Sequence, residues 1–225
     1  VNTDTASASI GDGALGAAAN YSVFVKNDVT VTGADCPGNF AVGGNTAIPD
    51  NYTTASSTVI NNITSGSTLN GSVTGEEAGI DFDEEFANLS AVSKDLAALE
   101  ANGTVSNGSW GGQIKFSGTS DTLNVFNISV DDYNALTANG YGQLSFLFDV
   151  PEGSTVVVNI VGEGSVNLGV NAGAYYGSNA LANDSAHNSN VLFNIPDASD
   201  VTIHDTMGTL LAPTSTVSTS AASSG

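Results

Sequence analysis

The chain has almost no positive charge. Its 225 residues include three lysines (Lys26, Lys94 and Lys115), no arginine and 23 acidic residues, for a formal net charge of -20. Neutralising phosphates requires clustered Lys and Arg, so DNA and RNA are excluded as partners. An anionic membrane surface is disfavoured for the same reason. Cysteine is equally scarce. Cys36 is alone, so there is no intrachain disulfide and stability has to come from packing. It lies in the turn-like segment GADCPGN, where it reads as a small half-buried apolar residue or, outside the cell, as a thiol for an intermolecular disulfide. No apolar run approaches the ~18 residues of a membrane span, which excludes direct membrane insertion. VNTDTASAS at the start has neither a basic segment nor an apolar core, so the chain reads as a mature or trimmed one.

Ser, Thr, Asn and Gly supply most of the polar surface, since charged residues make up only 12% of the chain. Such a surface hydrogen-bonds to sugars, ice or another protein without stripping water from many ions. The net charge suits a secreted protein that has to stay soluble.

Short strands dominate the pattern. Tyr21, Val23 and Val25 alternate with polar or outward positions, and Val29 and Val31 resume after Asn27–Asp28, which predicts a hairpin or strand pair. Thr58–Ile63, Val73 and Gly112–Phe116 predict further strands. Leu123–Val130 is apolar on both parities, which requires two buried faces or a bulge. Leu144–Val150, Thr155–Val161, Val191–Ile195, Val201–Ile203 and Thr209–Leu211 follow, and the β-branched run TVVVNIV reads as a strand covered on both sides. One segment has a different period. Phe82, Phe86, Leu89, Val92, Leu96 and Leu99 fall on one face of an α-helix. Asp81 and Glu84 resemble a capping box, and Asn102–Gly103 supplies a stop, giving a helix over about 82–101. No exact internal repeat is evident. The expected fold is mainly β, a β-solenoid or β-helix with the helix packed alongside as a cover, the alternative being a β-sandwich.

Several segments carry a resemblance. LGAAANYSVFVKNDVTVTG at Leu15–Gly33 and AVGGN at Ala41–Asn45 resemble the opening of the choice-of-anchor A family, with Asn39 where the family usually has an arginine. The helix Asp81–Leu99 with ANGTV at Ala101–Val105 is similar to the family's central helix and its exit. Val125–Ile128, Thr155–Val161, Val191–Ala198 and Gly208–Pro213 resemble later signatures in the family's order. The resemblance implies an extracellular, surface or matrix role, sometimes with collagen binding, and carries over no catalytic residue. It also implies one more strand after GTLLAP. The domain is therefore expected over 1–213, with 214–225 as a Ser/Thr/Ala-rich tail or final strand, and an edge near Thr209–Ser218 open to self-association.

Chemistry is sparse. His187 and His204 are the only histidines. His204 and Asp205 are adjacent in a strand-like segment and would point to opposite faces. There is no G-x-S-x-G elbow, so no catalytic residue is assigned and an enzyme is not expected. No cofactor is called for. Asp81, Asp83, Asp131 and Asp132 are the carboxylates calcium would use, although none falls in a D-x-[DN]-x-[DN]-G loop and the first two are equally explained by helix capping. Sequons occur at Asn20, Asn51, Asn62, Asn70, Asn88, Asn102, Asn107, Asn127 and Asn183, and would carry glycans in a eukaryotic host. Thr30 and Thr32 share one strand face and Thr216 and Ser218 another, which raises ice binding. The expected function is a non-enzymatic adhesive or structural role at the cell exterior, with an extracellular protein or glycan as partner. The alternatives are a filament subunit that self-associates by strand exchange, and an ice-binding protein.

Overall fold

The computed structural model describes residues 16–21, 23–32, 40–50, 58–66, 72–138, 140, 142–182, 184–203 and 208–219. Cys36, Asn39, His204, Asp205, the sequons Asn51, Asn70 and Asn183, and residues 220–225 lie outside the described residues.

The N-terminal part contributes β1 (Val23–Val25), β2 (Val29–Thr30), β3 (Phe40–Ala47) and β4 (Val59–Ser65), then α1 (Gly75–Ala78), α2 (Phe82–Ala97) and β5 (Thr104–Asn107). From there the chain winds. It passes through β6 (Gln113–Ser117), β7 (Leu123–Ser129) and α3 (Val130–Thr137), then β8 (Ser145–Asp149), β9 (Thr155–Val161) and β10 (Ser165–Leu168). The third pass is β11 (Ala174–Tyr176), β12 (Asn179–Ala180), α4 (Ser185–Asn188), β13 (Val191–Asn194) and β14 (Asp200–Ile203), and the last is β15 (Thr209–Leu211) and β16 (Thr216–Thr219).

Equivalent strands of successive passes stack in parallel. They form a five-stranded sheet β12-β11-β8-β6-β5, a four-stranded sheet β15-β13-β9-β7, and a seven-stranded sheet β1-β3-β2-β16-β14-β10 to which β4 adds beside β3. Among the described strands only two pairs are antiparallel, β5 with β6 and β12 with β11. The fold is thus mainly β, with a curled parallel sheet whose interior holds stacked rows. Val166, Val201, Val217 and Val29 occupy one such row at matching register, each 1% exposed. Phe116, Phe146, Phe148 and Phe193 fill another part, with the Phe116 and Phe148 rings stacked 5.0 Å apart.

Helix α2 covers the outside of the four-stranded sheet. Phe86, Leu89 and Leu96 are buried there, with Phe82, Val92 and Leu99 half-buried, against Val125, Val157, Leu192 and Leu211. This explains the doubly apolar Leu123–Val130 stretch. Val125 faces the helix, Phe126 faces the interior, and the register from Leu123 to Ser129 is unbroken. Leu96→Ala is expected to lower stability by about 2–5 kcal/mol, read from a urea unfolding curve.

Three expectations are corrected. Val23–Thr30 is not a hairpin, because β1 and β2 do not pair with each other. Both run parallel to β3 at one constant offset, Val23 opposite Phe40 and Val29 opposite Thr46. The Asn27–Asp28 break is a local stitch rather than a reversal, since the Gly44 N–H donates to the Asn27 carbonyl (3.2 Å) and the Asn45 N–H to Asp28 Oδ1 (2.7 Å). Helix α2 ends at Ala97, with Ala98 in right-handed conformation as its cap. Asn102 and Gly103 do not stop it. They cap the free edge of β7, where both N–H groups donate to the Val125 carbonyl, Asn102 Nδ2 donates to Leu123 O (2.9 Å) and Asn102 Oδ1 accepts from Val125 N (2.7 Å). A Cβ on Gly103 would fall 2.3 Å from the Phe126 ring, which requires glycine there. Lastly, the edge expected to be open near Thr209–Ser218 is closed at β16, which lies between β14 and β2 and pairs with both inside the chain, whereas β15 is the end strand of the four-stranded sheet.

Candidate functional site

Among the described residues, one outer sheet face is covered by a helix, one mixes charged, aliphatic and aromatic side chains, and one carries mainly short polar side chains. The occupied face belongs to the four-stranded sheet, and its helix is held by a ladder of asparagines as well as by apolar contact. Asn127, Asn159 and Asn194 sit at matching positions of β7, β9 and β13. Asn159 Nδ2 donates to Asn127 Oδ1 and to Leu96 O, both at 2.8 Å, while Asn194 Nδ2 donates to Asn159 Oδ1 and to Ser93 O, both at 2.8 Å. Asn127 Nδ2 donates to Leu99 O (2.8 Å), and the Ser93 hydroxyl donates to Asn194 Oδ1 (2.6 Å). The carbonyls used are three residues apart, Ser93 and Leu96 on the helix and Leu99 just past its end. Three residues climb about 4.5 Å along a helix, close to the roughly 4.8 Å between strands, so a helix running across the stack meets one asparagine per strand.

The five-stranded sheet turns Lys115, Leu147 and Tyr175 outward at matching register, with Lys115 paired to Asp149 at 2.7 Å. This face mixes charge, aliphatic and aromatic side chains.

The outside of the seven-stranded sheet is covered at β1, where Phe24 packs against Phe82 and Phe86 of α2, and is open over β10, β14, β16 and β2. Val166, Val201, Val217 and Val29 point inward, so their neighbours in sequence point out. Register then places Asn167, Thr202, Ser218, Thr30, Ala47 and Ser65 along one outer row. A second row holds Ser165, Asp200 and Thr216, and continues past Asp28 to Asn45 and Asn62. Adjacent positions along a row are about 4.8 Å apart and the two rows about 6.7 Å apart. At the Asn45 end the row is cross-linked, with Asn62 Nδ2 donating to Asn45 Oδ1 at 2.6 Å. At the other end α3 seals the β10 edge. The Tyr133 hydroxyl donates to Asn167 O (2.6 Å) and Asn134 Nδ2 to Ser165 O (3.0 Å); burial raises the Tyr133 pKa and keeps the phenol protonated. The two hydroxyl pairs that the sequence placed on separate strand faces therefore lie on one face, with Ser218 directly beside Thr30.

The carboxylates considered for calcium do not converge. Asp81 accepts from the N–H groups of Asp83 and Glu84 as the N-cap of α2. Asp83 pairs with Lys26 at 2.8 Å, and that hydrogen bond lowers its pKa. Asp131 and Asp132 begin α3, where Asp132 exchanges hydrogen bonds with Ser129. Among the described residues no group of three or more His, Cys, Asp or Glu is arranged to hold a metal. All six described sequon asparagines are exposed, and of these Asn62 is bonded to Asn45, while Asn102 and Asn127 donate their amides to backbone carbonyls. Both nitrogens of His187 are engaged by carboxylates, Asp184 at 2.6 Å and Glu152 at 2.6 Å, so this ring is unavailable as a general base.

A family model for an ice-binding-like adhesive domain matches residues 14–76 and 54–225. The chain belongs to this family. The adhesive domain is also similar to the ice-binding protein from an Antarctic ascomycete, Antarctomyces psychrotrophicus, in its crystal structure. Identity is 13%, coverage is 93% of this chain and 94% of that one, and the TM-score is 0.42. A second similar structure is an ice binding protein from an Antarctic biological consortium, at 16% identity, 91% and 86% coverage and a TM-score of 0.37. No curated protein sequence matches the chain. No helix of the adhesive domain is long and apolar enough, among the described residues, to cross a membrane.

Proposed function

We propose that the chain is a non-enzymatic extracellular adhesion module, a β-solenoid of the choice-of-anchor A kind, and that it attaches through the outer face of its seven-stranded sheet. Within the segment 214–225, Thr216–Thr219 then supply the final strand of a single domain. One observation carries this reading: two in-register rows on a parallel sheet in which hydroxyl and amide side chains predominate, with Ala47 in one row and Asp200 and Asp28 in the other. Short side chains on a rigid sheet lose little conformational entropy on contact. Hydroxyls and amides exchange water for another polar surface without the cost of desolvating ions. The partner that fits is a repetitive hydroxyl-rich surface, such as a glycan or a matrix protein coated with one. Among the described sequons, Asn20, Asn88 and Asn107 lie outside these rows and could carry glycans in a eukaryotic host without covering them.

Ice is the second reading. Thr202, Ser218 and Thr30 place hydroxyls on three adjacent strands of one row, which gives the regular spacing that ordered water requires. Filament growth by strand exchange is less favoured, because β16 is already paired on both sides.

A fluorescent fusion should be retained on at least one of immobilised cellulose, chitin, mucin glycans or collagen. Retention should fall by less than about twofold between 50 mM and 500 mM salt, because ions contribute little to the contact. Inhibition of ice recrystallisation without retention would favour the second reading. Absence of both, or hydrolysis of a retained glycan, would contradict the proposal.

A further inference from the structure

Away from the adhesion face, one corner of the molecule is held by a histidine between two carboxylates. His187 lies on α4, its side chain 17% exposed, with its ring against Tyr176 of β11 (centroids 5.1 Å apart). Nδ1 is 2.6 Å from Asp184 Oδ2 at the N-cap of the same helix, and Nε2 is 2.6 Å from Glu152 Oε1 in the turn between β8 and β9. Carboxylates accept hydrogen bonds, so each of these contacts needs a proton on the ring nitrogen. A neutral imidazole has only one. The observed geometry therefore belongs to the imidazolium, and the ring's pKa is raised by the hydrogen bonds to Glu152 first and Asp184 second. The titratable groups facing the ring are Glu152, Asp184 and the Tyr176 phenol; β12 presents only Asn179, 3.4 Å from Nε2. The phenol is anchored independently, by donating to Ser154 O (2.6 Å).

We propose that the Glu152–His187–Asp184 bridge is a pH-operated latch, in which the doubly protonated ring pins α4 to the β8–β9 turn and loss of one ring proton releases it. The two contacts are not equivalent. Asp184 is 26% exposed and shares the helix with His187, whereas Glu152 is 71% exposed on a turn. On deprotonation the Nδ1 proton stays with Asp184 and Glu152 turns away to solvent. His187 has its pKa raised by folding, so the link is complete below the unfolded value of about 6.5 and is lost as pH rises through the higher folded value. Asp184 has its pKa lowered, chiefly by the backbone N–H of His187. Its share is present above the unfolded carboxylate value and is lost as pH falls through the folded one. The latch is thus closed in mildly acidic to neutral solution and opens on alkalinisation. Helix α4 also holds the segment before β15, since Asn188 Oδ1 accepts from the Gly208 N–H (2.7 Å), so opening loosens both.

The test is an NMR titration of the full chain combined with amide exchange. Ring nitrogen shifts of His187 should show both nitrogens protonated at about pH 7. Protection of the 186–190 amides, after correction for intrinsic exchange, should fall about tenfold between about pH 6 and pH 9. In Glu152→Gln that fall should disappear, because the amide pairs with either ring state, by donating or accepting. In His187→Phe protection should be low at every pH. A ring that is neutral at pH 7, or an unchanged pH dependence in Glu152→Gln, would overturn the latch.

Discussion

Ending the chain at Thr214 should abolish its cooperative unfolding transition. The residues removed include β16, which is internal to the seven-stranded sheet although it lies near the end of the chain. It pairs with β14 on one side and β2 on the other, and its Val217 is 1% exposed in the row that links Val201 to Val29. The segment is also tied at its start, where the Ser215 hydroxyl donates to Ala198 O (2.6 Å) and the Thr216 N–H to Ser199 O (2.8 Å). Without it, two strands lose their hydrogen-bonded neighbour at once and β1–β4 lose their connection to the rest of the sheet. The cost is of the order of the whole folding free energy of a domain, about 5–15 kcal/mol. Circular dichroism melts of the shortened and full chains are the check. A shortened chain that melts within about 5 °C of the full one would show that β16 is dispensable.

Asn159→Asp should destabilise the fold by about 3–5 kcal/mol at neutral pH, far beyond an ordinary surface change. The substitution keeps the shape and removes two donors. Leu96 O and Asn127 Oδ1 then face a buried carboxylate instead of an amide, at a position that is 0% exposed. Burial disfavours the charged form, so the new carboxyl should titrate above its usual range and the loss should shrink as the pH is lowered towards about 4. Asn127→Asp, at the exposed end of the ladder, should cost only about 1 kcal/mol. Urea midpoints at two pH values distinguish these outcomes. Equal effects at Asn127 and Asn159 would mean that the ladder does not hold the helix.

The same ladder shows how much was legible in the sequence. Helix α2 was, because Phe86, Leu89 and Leu96 carry the period of a buried helical face, and so were most of the long strands, because Val and Ile runs leave little choice. The asparagines were visible but lacked a geometric reason. Phe126–Asn127–Ile128, Val158–Asn159–Ile160 and Phe193–Asn194–Ile195 form a recurring apolar-Asn-Ile triplet. It marks consecutive passes of the chain, yet its spacing is uneven and an exact-repeat search misses it. Ser93 carries no signal in the sequence and is fully buried against Asn194. Helix α3 was hidden because LNVFNISV runs into it without a break, and Ser129 acts as strand end and helix cap at once. The joining of the N-terminal strands to β16 has no local signal, since a pairing between Thr30 and Ser218 depends on the path of everything between them. That pairing is also what assembles the candidate face, so the site could be suspected from Thr30, Thr32, Thr216 and Ser218 but not put together. Asp81, Asp83 and Asp132 were the reverse case, conspicuous in the sequence but engaged in helix caps and an ion pair.

The adhesion face is tested most directly by one bulky substitution in the middle of its outer row. Ser218→Trp places a large side chain beside Thr30 without touching the interior, and Ser106→Trp on β5, where Ser106 is exposed and lies outside the seven-stranded sheet, is the matched control. Retention of the two fusions on whichever surface holds the parent chain should be compared, with thermal melts confirming that both are folded. The account predicts at least a tenfold loss for Ser218→Trp, corresponding to about 1.4 kcal/mol, and parent-like retention for Ser106→Trp. Parent-like retention of folded Ser218→Trp would contradict it.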